Sequence, residues 1–338
     1  MESEPSVSRG NTTMAMKDSF IVTGGAGFIG SNIVEALARA GCDDVVVVDE
    51  LDSDIKRRNL DSLTFRDYLD KADFREAFLA DKLARPATVI HMGACSSTTE
   101  TDEEYLRDNN YMYTRRLCEW CLAGDARFIY ASSAATYGDG SLGYSDEDEV
   151  TPTLQPLNFY GKSKQMFDVW ALENGLLDRI TGLKYFNVYG PREDHKGDMR
   201  SVVHKAYGQV LEAGELGLFK SYRPDYADGE QVRDFVYVAD AVKETLFFHE
   251  NRGISGIFNC GTGTARTWLD LARAVFAAMG REPNINFIEM PEALRERYQY
   301  HTQADLTKLR RAGYDKPFMS IEDGVRDYVR GWLAKQSA

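Results

Sequence analysis

The sequence predicts a doubly wound α/β fold, in which helices cover both faces of a parallel sheet. Short β-rich runs alternate with helical segments through the first half of the chain, and Val45–Val48 is a continuous apolar run. Such a run suits a strand that is buried on both faces, and the alternation predicts right-handed crossovers. The expected strands are 20–23, 45–49, 88–91, 128–130 and 180–186, with helices near 28–40, 68–84, 103–122 and 158–174.

The length of 338 residues suits a large α/β domain with a smaller partner. After Asn187 the strand–helix rhythm gives way to a segment rich in Gly, Pro, Asp and Tyr, with a helix near 200–213. Residues 232–238 and 256–260 are predicted strands that return to the first architecture. We therefore predict a disordered tail over 1–17, a dinucleotide-binding domain from 18–187 plus 232–262, and a substrate-binding domain from 188–231 plus 263–338.

The charge balance argues against nucleic acid or an anionic membrane as a partner. The formal net charge is −13, and no block of Lys and Arg offsets it. No apolar stretch approaches the roughly 20 residues that a membrane span needs, and the polar first residues do not read as a secretory signal. We expect a cytoplasmic protein.

The cysteines and histidines give no sign of a metal site or of disulfides. The five histidines are dispersed without ligand spacing, so we expect no bound metal. An odd, scattered set of cysteines indicates reduced thiols. These are Cys42, Cys95, Cys118, Cys121 and Cys260.

A glycine-rich segment, Thr23–Gly30, lies where the first strand feeds the first helix. In such a segment Gly24 allows the tight turn, Gly27 lets a pyrophosphate approach the backbone, and Gly30 lets helix and strand pack closely. Asp49 ends the next strand roughly 20 residues on, as in dinucleotide-binding βαβ units. The pattern predicts a Rossmann-type fold that binds NAD or NADP.

The residues alone leave the choice between the two dinucleotides open. Asp49 would accept a hydrogen bond from the ribose 2′-hydroxyl, which favours NAD. Lys56, Arg57, Arg58 and Lys71 could instead receive a 2′-phosphate, which favours NADP.

Tyr160 and Lys164 are a candidate catalytic pair. Their i, i+4 spacing near the start of a predicted helix puts phenol and ammonium on one face. A tyrosine base near pH 7 needs its pKa lowered from about 10, at a cost of ~4 kcal/mol. One cation ~4 Å away supplies ~4 kcal/mol at an effective dielectric of ~20. Ser133, after a predicted strand, would hydrogen-bond a substrate oxygen beside the tyrosine.

These motifs resemble the extended short-chain dehydrogenase/reductase family, also called the NAD-dependent epimerase/dehydratase family. The shared elements are Gly24–Gly30, Ser132–Thr136, Tyr160 with Lys164, Asn187–Arg192 and Arg233–Asp240. Within that family the chain is similar to the heptose 6-epimerases. The segments that carry this narrower likeness are His91–Glu100, Asp108–Tyr111, His195–Gly197 and Tyr298–Leu306.

The resemblance implies a redox-neutral epimerisation at C6 of a heptose attached to ADP, with NADP retained as a bound cofactor. It also implies a role in building the inner core of lipopolysaccharide, and a homo-oligomer, described in the family as a pentamer.

The resemblance also assigns site residues by position. For the cofactor these are Phe28, Ile29, Asp49, Glu50, Lys56, Lys71, Met92, Gly93, Ala94, Cys95, Ser96 and Asn109. Tyr160 matches the catalytic tyrosine, with Lys164 beside it and Ser133 nearby, and Lys196 matches a second acid/base lysine. The substrate contacts are Asn187, Val188, Phe219, Arg233 and Tyr298.

The chain departs from the family pattern at several of these positions. Glu50 stands where an Asn is usual. Asp198 and Lys205, also expected near the substrate, stand where the family has Ser and His. These changes concern substrate selectivity and the 2′-phosphate preference rather than the type of reaction.

Two other functions remain open from the residues. A UDP-hexose 4-epimerase uses the same core motifs. A cofactor-binding sensor without turnover is disfavoured because Tyr160 and Lys164 are both present. A 4,6-dehydratase is disfavoured because Ala134 and Ala135 stand where an acid/base pair would be expected.

Overall fold

The computed structural model describes residues 18–295 and 298–336. The predicted tail, 1–17, lies outside the described residues. Over the described ranges no helix is long and apolar enough to cross a membrane.

The strands of the described ranges are β1 (Phe20–Thr23), β2 (Val45–Asp49), β3 (Asp67–Asp70), β4 (Thr88–His91), β5 (Arg127–Ser133), β6 (Ile180–Tyr185), β7 (Asn187–Tyr189), β8 (Leu216–Phe219), β9 (Val232–Tyr237), β10 (Gly256–Cys260), β11 (Ala265–Thr267) and β12 (Ile285–Ile288). Seven parallel strands form the central sheet, in the order β10-β6-β5-β4-β1-β2-β3. A three-stranded sheet has the order β11-β9-β7, and β12 pairs with β8.

Helices connect these strands and cover the central sheet. They are α1 (Phe28–Arg39), α2 (Asp54–Arg58), α3 (Lys71–Leu79), α4 (Glu103–Leu106), α5 (Tyr113–Ala123), α6 (Phe159–Glu173), α7 (Val202–Ala213), α8 (Val238–Glu250), α9 (Trp268–Ala278), α10 (Glu292–Arg295), α11 (Thr307–Arg311), α12 (Ile321–Tyr328) and α13 (Ala334–Gln336). A π-helical segment, Arg107–Met112, joins α4 to α5, and 3₁₀ turns cover Ala134–Tyr137 and Asp194–Met199.

Alternate residues of β1 enter different hydrophobic clusters. Phe20 and Val22 pack with α1, α7 and α9, whereas Ile21 packs with α3 and α5 on the other face. This period of two is what a strand buried on both faces requires. The predicted doubly wound α/β class is confirmed.

The order of the strands places the site. The chain runs outward from β1 through β2 to β3, then returns to β4 on the other side of β1. A crevice opens at such a switch point, outside the carboxyl ends of the strands. The glycine-rich turn after β1 and the segments after β4 and β5 all lie at this edge.

Three details of the predicted order are wrong. The helix expected near 68–84 is preceded by β3, an edge strand whose last residue, Asp70, caps α3 by accepting a hydrogen bond from the Ala72 N–H. The acidic residues at the two ends of β3, Asp67 and Asp70, make its sequence resemble the start of a helix. The strand at 232–237 joins the small sheet instead of the central one, because its neighbours are β7 and β11. Strands β7, β8, β11 and β12 were not predicted. The division into two domains stays a prediction.

Candidate active site

A cavity of about 720 Å³ lies at the carboxyl edge of the central sheet. Its walls come from the turn after β1, the ends of β2, β4 and β5, helix α6, and the segment from β7 to α7. One space therefore collects residues that are far apart in the sequence.

The glycine-rich turn packs against its own backbone and against the segment after β4 too closely for side chains. Gly24 has a φ of +66°, and a Cβ there would lie 2.7 Å from the Met92 carbonyl carbon. A Cβ at Gly30 would lie 2.0 Å from the Gly24 carbonyl oxygen. Helix α1 begins at Phe28 without a side-chain cap, so its first N–H groups and its dipole are available to an anion. The pyrophosphate of a dinucleotide fits this turn.

Two acid–lysine pairs lie in the cavity wall near the carboxyl end of β2. The Nζ of Lys56 lies 2.7 Å from Oδ1 of Asp49, and the Nζ of Lys71 lies 2.7 Å from Oε2 of Glu50. All four residues line the cavity. Arg57 and Arg58, the other basic candidates from the sequence, are exposed and are not among its described lining residues.

The segment after β4, Met92–Ser96, forms one wall together with Asn109. Asn110 fixes this segment, because its amide oxygen accepts from the Cys95 N–H at 2.9 Å and its Nδ2 donates to the Cys95 carbonyl at 2.9 Å. It also bonds Ser163 of α6 at 3.0 Å. Sequence reasoning missed this brace, although Asn110 lies inside a quoted motif.

Tyr160, Ser133 and Lys164 meet in the cavity as predicted. Burial raises the pKa of Tyr160, and a hydrogen bond with Ser133 opposes that rise. The amine of Lys164 donates to the Ala131 carbonyl at 2.9 Å, and burial lowers its pKa to about 8. Lys164 is not among the groups that lower the pKa of Tyr160 in this structure, and its predicted effect on the phenol stays a prediction.

A buried ion pair, which the sequence did not reveal, fixes helix α6. Asp168 lies one turn beyond Lys164 on α6, and its Oδ2 is 2.8 Å from Nζ of Lys184 on β6. The same carboxylate accepts from Tyr130 at 2.9 Å and Ser132 at 2.6 Å on β5. Three elements of the site are thereby fixed to one another.

Lys196 reaches the cavity from the 3₁₀ turn after β7. Its Nζ lies 5.3 Å from the centre of the Phe28 ring, within the range of cation–π attraction. Burial lowers the pKa of Lys196. A second ionisable group thus lines the same cavity as Tyr160.

The residues predicted to contact the substrate lie in three different parts of the structure. Asn187 and Val188 line the cavity. Arg233, Phe219 and Tyr298 form a neighbouring aromatic cluster, in which the Arg233 guanidinium lies 5.1 Å from the Tyr298 ring centre and 5.5 Å from that of Trp268, a cavity residue. Asp198 and Lys205 are exposed and contact each other, the Lys205 amine donating to the Asp198 carbonyl at 2.5 Å.

Arg233 has an unusual environment for a cation. It is buried, and in the described part of the chain no carboxylate lies within ion-pair distance of it. Its Nη1 donates to the Val232 carbonyl at 2.8 Å. A buried guanidinium without a counter-ion has the charge and the free donors that binding an anionic ligand requires. The described residues include no group of His, Cys, Asp and Glu arranged to hold a metal ion.

Comparison with known proteins decides the family. Residues 20–261 match the model of the NAD dependent epimerase/dehydratase family. The chain belongs to this family. It is 54% identical to a protein of Nitratidesulfovibrio vulgaris strain DP4 named ADP-L-glycero-D-manno-heptose-6-epimerase, over 93% of this chain and 98% of that protein.

Solved structures agree with this assignment. The chain resembles ADP-L-glycero-D-manno-heptose-6-epimerase of Helicobacter pylori with a TM-score of 0.81 and 27% identity, over 97% of this chain and 100% of that one. It also resembles UDP-glucose 4-epimerase of Thermus thermophilus in complex with NAD, with a TM-score of 0.71 and 29% identity, over 93% and 99% of the two chains. The predicted membership, the epimerase class of isomerases and a nicotinamide dinucleotide as cofactor are confirmed.

Proposed function

We propose that this epimerase inverts C6 of ADP-D-glycero-D-manno-heptose to give ADP-L-glycero-D-manno-heptose. The observation that carries the proposal is that two proton-transfer groups, Tyr160 and Lys196, line one cavity from different elements. Inversion of a carbinol carbon needs acid/base help at both faces of the carbonyl that forms in between. The names of the similar proteins supply the sugar and the position.

The chain's own residues provide the proton chemistry. When bound, the nicotinamide cofactor supplies a hydride acceptor that can return the hydride, and a positive charge beside the phenol. One of Tyr160 and Lys196 takes the proton of the C6 hydroxyl, and after the ketone has turned, the other returns a proton on the opposite face. Ser133 holds the phenol by its hydrogen bond, and Lys164 is fixed to β5 through Ala131.

Arg233 is proposed to hold the diphosphate of the substrate. Its five N–H donors suit a bidentate, charge-assisted contact with phosphate oxygens. The rings of Tyr298 and Trp268 restrict the guanidinium on two sides, and Phe219 packs edge-on against Tyr298. With the ADP part fixed in this way, the heptose end is free to turn inside the cavity beside Asn187 and Val188.

NADP is proposed as the cofactor. Lys56 and Lys71 both line the cavity next to Asp49 and Glu50, so two cations are within reach of a 2′-phosphate. The resemblance to the heptose 6-epimerases supports the same choice.

The cellular setting is proposed from the resemblance as well. We propose that the protein acts in the cytoplasm as a homo-oligomer, a pentamer, and that its product enters lipopolysaccharide core synthesis. The two predicted domains would place the cofactor on the central sheet and the sugar on the smaller sheets.

The proposal is tested by NMR of the purified enzyme with ADP-heptose and UDP-galactose in turn. We expect interconversion of the C6 epimers and no change in UDP-galactose. The opposite result would make the protein a UDP-hexose 4-epimerase, the function that the likeness to the Thermus thermophilus enzyme favours. Consumption of added NADPH without an isomerised product would make it a reductase.

A further inference from the structure

Glu193 is a buried carboxylate without a cationic partner. Its side chain has no exposed surface, and within the described ranges no Lys, Arg or His lies at ion-pair distance from it. Burying an unpaired charge is expensive, so this residue needs a physical explanation.

The N-terminus of α7 stabilises the carboxylate in place of a cation. One oxygen accepts from the Ser201 N–H at 2.5 Å, and the other accepts from the Ser201 hydroxyl at 2.5 Å. Ser201 caps α7, since its Oγ accepts from the His204 N–H at 3.3 Å. Anions are favoured at the positive end of a helix dipole. These hydrogen bonds stabilise the Glu193 carboxylate without a cation beside it. Its negative charge is therefore not neutralised by a neighbouring side chain.

Lys196 lies one 3₁₀ turn beyond Glu193. Its backbone N–H donates to the Glu193 carbonyl at 3.0 Å, and side chains at i and i+3 are eclipsed in a 3₁₀ turn. The ammonium of Lys196 points toward the Phe28 ring in the cavity. The buried carboxylate and the cavity lysine therefore lie at the two ends of one hydrogen-bonded turn.

We propose that Glu193 is a positioning residue, which holds Lys196 at the cavity wall and keeps its amine in the charged form. The proposal deepens the proposed function and rests on it for the role of Lys196. The direction of the charge effects agrees, because burial lowers the pKa of Lys196, Glu193 opposes that change, and Lys205 of α7 adds to it.

Other ionisable groups lie in this turn or face it. Burial lowers the pKa of His195, the neighbour of Lys196. Burial raises the pKa of the Tyr328 phenol, which packs near Glu193 from α12. Neither of these two groups adds a negative charge near neutral pH. Of the carboxylates within the turn, Asp194 is paired with His204 at 3.0 Å and Asp198 is exposed, and Glu193 is the carboxylate that opposes the fall in the pKa of Lys196.

The test compares Glu193→Gln with Ser201→Ala. Glu193→Gln removes the charge and keeps the shape. Ser201→Ala removes the two hydrogen bonds of the hydroxyl, to Glu193 and from the His204 N–H, and keeps the charge. Holoenzyme is treated with a trace of acetic anhydride across a pH series, and acetylation of Lys196 and Lys205 is read by mass spectrometry. In Glu193→Gln we expect the labelling midpoint of Lys196 to move down by roughly one pH unit, as for the loss of one nearby charge. Ser201→Ala should leave it unchanged.

An unchanged Lys196 midpoint in folded Glu193→Gln overturns the proposal. If that variant does not fold, Glu193→Asp retracts the carboxylate by one methylene, and a smaller downward shift is expected; no shift again overturns the proposal. With substrate, kcat should fall in Glu193→Gln while KM stays near the wild-type value. The labelling needs no substrate, so it stands even if ADP-heptose is not turned over.

Discussion

The Lys56 ammonium and the Asp49 carboxylate form a contact of 2.7 Å at the cofactor end of the cavity. The other Asp49 oxygen accepts from the Ala26 N–H at 2.9 Å, and Oδ1 also accepts from the Glu50 N–H at 2.7 Å. Asp49 is thus a brace of the glycine-rich turn as well as a candidate ligand. Lys56 is the cation that this brace holds in place.

Replacing Lys56 with Ala should weaken NADP binding about tenfold or more, because one charge-assisted hydrogen bond contributes ~1.5–3 kcal/mol. NAD should bind nearly as before, since Asp49 becomes free to accept from a ribose hydroxyl. Fluorescence titration of stripped protein with each dinucleotide measures both affinities. Arg57→Ala, at an exposed position outside the described cavity lining, is the control. Equal losses for NADP and NAD would show that Lys56 does not discriminate between them.

Ser133→Ala should make turnover more dependent on alkaline pH. The hydrogen bond from Ser133 lowers the pKa of Tyr160 against the effect of burial, so its loss raises that pKa further. Less phenolate is then present near pH 7, and kcat should fall more at pH 7 than at pH 9. A pH–rate profile tests this, with Ser132→Ala as control because its hydroxyl bonds Asp168 instead. An equal fall in kcat at every pH would contradict the claim that Ser133 lowers the pKa of Tyr160.

Lys184→Met should destabilise the fold by about 3–5 kcal/mol, because it leaves the fully buried Asp168 carboxylate without its cation. The double variant Asp168→Asn/Lys184→Met should recover most of this loss, since the Asn can still accept from Tyr130. The free energy of unfolding in urea measures both effects. A single variant as stable as the wild type would show that the pair does not hold β5, β6 and α6 together.

Arg233→Met should raise KM for the nucleotide sugar by roughly 10- to 100-fold, the size expected for a lost charge-assisted contact. The effect on kcat should be smaller, because Arg233 lies beside the cavity rather than among its described lining residues. Arg266→Met is a matched control, since Arg266 pairs with Arg233 across β9 and β11 but its guanidinium is bound by Asp270 and Glu322. Equal KM values for the two variants would remove Arg233 from the substrate site.

Local sequence pattern predicted the central sheet well, and for a physical reason. A buried parallel strand is an apolar run, as in Val45–Val48, and the turn after β1 needs glycines because a Cβ at Gly30 would collide with Gly24. The edge strand β3 is half-exposed and charged at its ends, so it lacks that pattern. The partner of β9 was mispredicted because pairing depends on distant strands.

The sequence predicted several residues of the candidate site, but not the hydrogen bonds and ion pairs that surround them. Tyr160, Lys164 and Ser133 meet in the cavity as their motifs predict. The donation of Lys164 to Ala131, the Asp168–Lys184 pair and the carboxylate of Glu193 at α7 depend on packing between elements. No local spacing encodes these contacts, because each joins elements that are distant in the sequence.

The central claim is that the hydrogen removed from C6 returns to the same carbon on its other face. The direct test is turnover of ADP-heptose that carries deuterium at C6, mixed with an equal amount of unlabelled substrate. We predict a product with inverted C6 that retains its deuterium, with none in the water and none in molecules that began unlabelled. Deuterium released to solvent, or passed to the unlabelled pool, would contradict inversion within one closed site.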